Sequence, residues 1–305
     1  MNFPSAIAGR ADSAAPVNNI KIRKRAMEKI YLWHDDSIKT ATDRPAVTPM
    51  LLTDGKKHPA ILVIPGGGYG CVCSSTEGFP IAEKFNQLGY HAFVLDYRTA
   101  PEQWPAPQLD AMRAMKVIRA NAERWNVIPD QVASCGFSAG AHLAGSLGIL
   151  CDKLSAADGD NADSFPHRPD CMILCYGVLV FSDWSHCGTQ ANLLGENYAA
   201  VRDAYSLEKH IAADTPPVFL MHTICDQSVD YRNSIEFAQA MAAEQRPCEL
   251  ALYYWGDHGM LLGKNTFDVV NWPEQAHNFM QTLLLAEQAA DFRDRYTNAY
   301  QSTRN

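Results

Sequence analysis

No apolar run in this 305-residue chain approaches the length needed to cross a bilayer. Positive charge is also scarce: the formal net charge is −8. Nucleic acid and anionic membrane surfaces therefore have no electrostatic support as partners. The local cluster Lys21, Arg23, Lys24 and Arg25 reads as a solvated face. Met1 to Pro16 lacks a basic leader followed by an apolar core of about seven residues, so the expected compartment is the cytoplasm. The cysteines number nine, which is odd, and Cys135, Cys171 and Cys175 fall in apolar runs where the thiol acts as a small core group. Reduced thiols suit this pattern better than a disulfide framework. Cys71-Val72-Cys73 and the pair Cys171 and Cys175 lack zinc-site spacing and companions, so no metal or other cofactor is expected. A phosphate-cradling loop lacks its marks too, since neither G-x-x-x-x-G-K-[ST] nor G-x-G-x-x-G occurs. No internal repeat is present.

What remains is a chain that is 47% hydrophobic and long enough to bury one substantial core as a single domain over residues 1–305. Ala60 to Ile64, His91 to Asp96, Gln131 to Cys135, Cys171 to Tyr176, Pro217 to His222 and Glu249 to Tyr254 read as strands. Phe79 to Leu88 reads as a helix ended by Gly89. Leu109, Met112, Met115, Ile118, Ala122 and Trp125 recur at three- and four-residue spacing and mark one face of another. Strands alternating with helices imply an α/β fold, a mostly parallel central sheet with helices on both faces. Thr48 to Leu52 and part of Ile20 to Trp33 are candidates for antiparallel edge strands. Val178 to Asp214 has no clear strand and is long for a connection, so part of it is expected to cap the site. Glu287 to Asn305 reads as a polar helical tail.

The chemistry is concentrated at Gly136-Phe137-Ser138-Ala139-Gly140, which lies between an apolar strand and a helix-like segment. Strand, sharp G-x-S-x-G turn and helix raise one serine hydroxyl above the end of a sheet, and the glycines avoid collisions that a Cβ would cause. A serine needs a base to take its proton. His258, on the loop after Glu249 to Tyr254, is the candidate base. Asp226, on the loop after Pro217 to His222, is the carboxylate that would fix its tautomer. Asp230 and Asp257 are rivals to Asp226: Asp257 adjoins His258 awkwardly, and Asp230 lies deeper, where a helix begins. The run Ala60 to Ile64 ends in Pro65-Gly66-Gly67-Gly68-Tyr69-Gly70, where backbone N–H groups can approach a reacting carbonyl. Gly67, Gly68 and Ala139 are the expected oxyanion donors.

With these residues in place the chain resembles the acetylxylan esterase and related carbohydrate esterase branch of the α/β-hydrolases. Pro65 to Tyr69, Glu77-Gly78, Asp96-Tyr97-Arg98, Trp104 to Pro107 and Gly136 to Gly140 with His142-Leu143-Ala144 carry the resemblance. Asn192 to Gly195, Thr215 to Pro217 with His222-Thr223, and Asp257 to Gly259 complete it. Two departures stand out. Pro65 replaces the histidine that the hormone-sensitive-lipase-like branch has before its glycines, and Ala141 replaces the glycine usual after G-x-S-x-G. The resemblance implies a cofactor-free serine esterase that removes acetyl groups from sugars such as acetylated xylo-oligosaccharides. Its partner would be a small-molecule or oligosaccharide ester. A feruloyl esterase, lactonase or amidase would use the same machinery. An inactive hydrolase fold used for binding is the alternative outside enzymes, and none of the triad is missing here. Tyr69, Glu77 and Trp184 are candidate pocket-lining residues. His142 and His222 read as packed histidines, and Arg98 with Asp110 as a bracing ion pair.

Overall fold

Ile61 and Val63 pack on one face of the central sheet while Ala60, Leu62 and Ile64 pack on the other, as the alternation of a strand dictates. All five are fully buried, which is why the stretch is apolar without interruption. The computed structural model describes residues 28–288 other than 265 and 267. Eight strands form one sheet: β1 (Ile30–Tyr31), β2 (Ala46–Met50), β3 (His58–Ile64), β4 (His91–Asp96), β5 (Val127–Phe137), β6 (Cys171–Cys175), β7 (Val218–Thr223) and β8 (Cys248–Tyr253). Their spatial order is β1-β2-β4-β3-β5-β6-β7-β8. The β1–β2 and β2–β4 pairs are antiparallel, and every pair from β4 to β8 is parallel.

Helices cover both faces. On one lie α2 (Ala106–Ala120), α4 (Ala139–Ile149) and α7 (Arg232–Ala243), which contribute Met112, Met115, Leu143, Leu147, Phe237 and Met241 to a single cluster. On the other lie α1 (Phe79–Gln87) and α8 (Trp272–Gln288), with Ile81, Phe85, Trp272 and Met280 against Ile173 and Phe219. Pro80 in the first turn of α1 suits a position whose N–H has no intrahelical acceptor. The short helices α3 (Ala122–Trp125), α5 (Cys187–Leu194) and α6 (Tyr198–Val201) complete the set. α3 continues the apolar face of α2 past a break at Asn121, where a single longer helix was expected. Asn126 ends α3 at φ 55°, a left-handed conformation that asparagine accepts more readily than most residues.

The expected antiparallel strand over 48–52 lies two residues earlier, and among the described residues of the other edge segment only Ile30–Tyr31 pairs. The basic cluster at 21–25 lies outside the described residues, as does the expected tail beyond the end of α8. Residues 178–214 carry no strand, as expected, and fold into α5, α6 and short 3₁₀ turns.

Asp110 is fully buried on α2. Its Oδ1 accepts from Trp33 Nε1 at 2.7 Å and from Arg98 at 2.8 Å, and its Oδ2 accepts from Arg98 Nε and the Arg98 amide, both at 2.9 Å. Arg98 also donates to the Ala106 carbonyl. The ion pair expected between Arg98 and Asp110 is thus present, and it closes the loop 99–105 on α2. Removing one member of a buried pair leaves its partner's charge uncompensated, a loss of about 3–5 kcal/mol. Asp110→Ala is expected to lower the unfolding free energy by about that amount in urea titrations. A loss below about 1 kcal/mol would show that this brace does not hold the loop.

Candidate active site

β5 ends at Phe137 and α4 begins at Ala139, which leaves Ser138 alone to turn the chain, at φ 54° and ψ −121°. Such a conformation costs about 1–3 kcal/mol and persists only where its surroundings over-determine it. Here they do. Ser138 N–H donates to the Cys175 carbonyl at 3.0 Å, and its own carbonyl accepts from Ala141 N–H at 3.1 Å and Val178 N–H at 3.3 Å. A Cβ on Gly136 would stand 2.1 Å from the Gly140 carbonyl oxygen, and one on Gly140 would stand 2.3 Å from the Ile64 carbonyl oxygen. Only glycine fits at either position.

Two loops on neighbouring strands bring partners to Ser138. Ile224 and Cys225 amides donate to the Tyr253 and Tyr254 carbonyls, and Thr223 Oγ1 donates to the Gly256 carbonyl. The turns after β7 and β8 are thereby laced together. His258 Nε2 lies 2.9 Å from Ser138 Oγ, and its Nδ1 lies 2.8 Å from Asp226 Oδ2. The carboxylate beside Nδ1 fixes the tautomer: Nδ1–H donates to Asp226, and Nε2 is left to accept from the serine hydroxyl. Asp226 Oδ1 accepts from the Ser228 and Val229 amides, each at 2.9 Å. Burial pushes the Asp226 carboxyl up. Hydrogen bonds from His222, His258 and Val229 outweigh that and hold it well below the usual carboxylate range.

Neither rival acid is so placed. Asp230 pairs with Arg232 at 2.7 Å, and the exposed Asp257 accepts from the Gln227 and His258 amides. His222 is fully buried, as expected, accepting at Nδ1 from Ser234 Oγ and donating from Nε2 to the Val229 carbonyl. It also stands 3.4 Å from Asp226 Oδ2, a support for the acid that its place in a strand does not announce.

The glycine loop after β3 faces the elbow. Gly67 adopts φ 130°, and a Cβ there would come 2.2 Å from the Cys71 carbonyl oxygen. Gly68 sits at φ 62°, with its carbonyl accepting from Asn192 Nδ2 at 2.8 Å. Among the described residues neither the Gly67 nor the Gly68 N–H has a protein acceptor. Ala139 opens α4, so its N–H belongs to the amides that a helix leaves without an internal partner. α5 forms a wall of this loop: His186 caps it by accepting from Thr189 N–H at 3.1 Å, and Thr189 and Asn192 contact Gly68 and Gly70. Burial, first among the causes, pushes the His186 imidazole down.

The candidate pocket residues are placed differently from expectation. Tyr69 is fully buried. Its hydroxyl donates to His142 Nδ1 at 2.9 Å and its ring lies edge-on to Tyr97, so it braces the loop from beneath. His142 donates from Nε2 to the Tyr205 carbonyl and stacks on Phe181 at 4.4 Å, and burial pushes it down to about 4. It is the packed histidine that was expected. Glu77 is buried as well, receiving hydrogen bonds from Gly66 N–H at 2.7 Å and Tyr176 hydroxyl at 3.0 Å. Trp184 is half-buried with the Arg232 guanidinium 4.3 Å over its ring, so one face of the indole is already covered. Two exposed aromatics, Tyr254, expected in the strand that in fact ends at Tyr253, and Trp255, which was given no role, lie just before His258 with rings 4.6 Å apart.

Elsewhere, a cavity of about 290 Å³ opens behind the glycine loop, lined by Cys71, Val72, Ser74, Asp96, Tyr97 and Thr99 among others, and by none of Ser138, Asp226 and His258. His34, Asp158 and Asp160 offer possible metal-ligand atoms within 4.8 Å of one another, but buried Arg113 already pairs with both carboxylates. All nine cysteines are free thiols. Among the described residues no helix is long and apolar enough to cross a membrane.

The chain is similar to known proteins along much of its length. The chain is 34% identical over 244 residues to endo-1,4-beta-xylanase B of Butyrivibrio fibrisolvens, covering 78% of this chain and 38% of that protein. It is 28% identical over 233 residues to the acetylxylan esterase of Xylanibacter ruminicola, covering 74% and 46%. It therefore spans less than half the length of these two curated relatives. The crystal structure of an acetyl ester-xyloside bifunctional hydrolase from Caldicellulosiruptor lactoaceticus superposes with a TM-score of 0.78 at 34% identity, covering 85% of this chain and 97% of that one. The BD-FAE family model matches residues 51–241, more than half of the chain. On these likenesses and on its strand order, the chain belongs to the BD-FAE family of α/β-hydrolase esterases.

Proposed function

We propose that the chain is a serine carboxylic-ester hydrolase that removes short acyl groups, acetyl above all, from sugar hydroxyls such as those of acetylated xylo-oligosaccharides. The observation that carries the reading is the relay Ser138 Oγ, His258 Nε2, His258 Nδ1, Asp226 Oδ2, with both contacts under 3 Å. In this reading Ser138 Oγ attacks the ester carbonyl as its proton passes to His258 Nε2, while Asp226 stabilises the imidazolium. The amides of Gly67, Gly68 and Ala139 donate to the carbonyl oxygen as it gains charge. Collapse expels the alcohol, protonated by His258, and leaves an acyl-serine. Water, deprotonated by His258, then attacks that ester and releases the acid. The choice of acetyl and of a sugar alcohol is supported by the names of the relatives, an acetylxylan esterase and an acetyl ester-xyloside hydrolase.

Ser138→Ala and His258→Ala are expected to lower kcat by about 10⁴-fold or more without unfolding the chain. Asp226→Asn is expected to do so by about 10⁴-fold, because an amide favours the wrong histidine tautomer. Normal kcat in Asp226→Asn together with its loss in Asp230→Asn would reassign the acid.

Gly67→Val places a side chain against the Cys71 carbonyl and displaces the amide beside it. It is expected to cut kcat by about 10²–10³-fold with a much smaller rise in KM, the mark of a lost oxyanion donor. An unchanged kcat would place the donors elsewhere.

A panel of acyl esters, with Ser138→Ala as control, tests the substrate. Acetyl esters are expected to be cleaved fastest, with a steep fall beyond about four acyl carbons, the preference of a pocket that one or two methylenes overfill. Acetate should be released from acetylated xylo-oligosaccharides. A maximum at long acyl chains, or activity on feruloylated sugars with none on acetylated ones, would overturn this assignment.

A further inference from the structure

Glu77 is a buried carboxylate with no part in the relay described above, and its surroundings are specific. Gly66 N–H donates to Oε2 at 2.7 Å, and the Tyr176 hydroxyl donates to Oε1 at 3.0 Å. A Cβ built on Gly66 would lie 2.8 Å from that Oε2 and 2.9 Å from Ser138 Cβ, so one glycine separates the carboxylate from the serine. Tyr176, which binds the other oxygen, stands edge-on to the His258 ring with centroids 5.1 Å apart. It is the residue after β6 and adopts φ 36°, a left-handed conformation that a bulky side chain rarely takes. Its N–H donates to the Met221 carbonyl at 2.6 Å. Backbone strain here serves to place the ring between an acid and a base.

We propose that Glu77 is a positioning residue and a second anionic support for His258, held through Tyr176 and Gly66. Because both of its oxygens accept hydrogen bonds, the arrangement is that of an ionised carboxylate. Burial pushes its pKa up, and the Gly66 amide, the Tyr176 hydroxyl and His258 act against that rise. One consequence is geometric: the bond to Gly66 N–H pins the start of the loop that presents Gly67 and Gly68. The other is electrostatic: a negative charge in a poorly solvated site favours the imidazolium that forms when Ser138 gives up its proton.

Other charges around the pair are accounted for. Cys73, Tyr97 and Cys175 interact with Glu77. Burial, first among the causes, pushes Cys73 up to about 11 and the other two well above their ordinary values, so all three are neutral near pH 7. Around His258 stand Asp226 at Nδ1, the exposed Asp257 against its backbone N–H, and His186. Glu77 is the remaining anion on the tyrosine side.

This inference rests on the serine-hydrolase reading, and the test separates the two. Ser138 is labelled with a fluorophosphonate, and the labelling rate is followed from acid to neutral pH in wild type, Glu77→Gln and Tyr176→Phe. Absence of labelling in the folded wild type would sink the serine-hydrolase reading itself. Given labelling, Glu77→Gln is expected to slow it by about ten-fold at pH 7 and to move the acidic limb of the profile down by about half a pH unit or more. The sign follows from charge: without the carboxylate beside it, a positive charge in the site is less stable. Tyr176→Phe keeps the ring against His258 and removes one donor to Glu77, so a smaller displacement in the same direction is expected. A merely structural role would lower the amplitude of labelling and leave the limb in place. Limbs that coincide with wild type in the variants that fold would overturn the proposal. If Glu77→Gln fails to fold, Tyr176→Phe decides the matter alone.

Discussion

The site depends on one close approach, that of the first turn of α4 to the end of β3. Gly140 lies against the carbonyl oxygens of Ile64 and Pro65, where a Cβ would stand 2.3 and 2.4 Å away. Without a side chain there, the helix can begin directly above the strand that leads into the glycine loop. The start of the glycine loop thereby lies against the elbow, where a Cβ on Gly66 would stand 2.9 Å from Ser138 Cβ. Ser138 is strained because it must join a strand at the sheet's centre to a helix that starts this close. The parallel sheet makes the strain affordable: β5 is flanked by β3 and β6 on both sides, so relaxing the turn would disturb a core buried on both faces.

The acid–base pair obeys a different constraint. Asp226 has its carboxylate fully out of solvent, where an unpaired charge would be costly. It is ionised because His258, His222 and two backbone amides point at it, each donor lowering the energy of the anion. His222 in turn keeps its own place through Ser234 on α7 and the Val229 carbonyl. The orientation of one histidine in the site is thus carried by residues from β7, from the loop after it and from the helix that follows. The distal brace of Asp110, Arg98 and Trp33 acts toward the other edge of the sheet, closing the loop whose Ala100 amide donates to the Tyr69 carbonyl at 2.7 Å.

Much of this was legible in the sequence for a physical reason. Strands buried on both faces must be apolar throughout, so β3 to β7 could be located to within a few residues. A serine elbow needs glycine at fixed offsets, and a relay needs an acid and a histidine on loops at the same end of a parallel sheet. Those requirements are local or topological, and a linear pattern records them. The order Ser138, Asp226, His258 therefore brought together residues that the fold also brings together, and β7 and β8 put Asp226 ahead of Asp230 and Asp257. The pocket residues were not legible in this way. Tyr69 adjoins the glycine loop in sequence, yet its ring points beneath the loop to His142, a direction set by positive φ (56°) at its own backbone. Glu77 reads in the sequence as a pocket-lining candidate, and nothing in its neighbourhood of sequence names Gly66 or Tyr176 as its partners.

The same distinction explains why reaction type is better defined than substrate. The candidate catalytic groups hang from the ends of strands, and strand ends are fixed by the sheet. A wall of the glycine loop comes from the segment after β6, where α5 lies. Such a wall is held by a few side-chain contacts, the Asn192 bond to the Gly68 carbonyl being the most direct. Changes of one or two residues there would reshape the space beside Ser138 and leave the relay intact. Members of one esterase family can therefore share a strand order and a relay while differing in the ester they accept, since a methylene in an apolar pocket shifts selectivity by only about 1–3 kcal/mol.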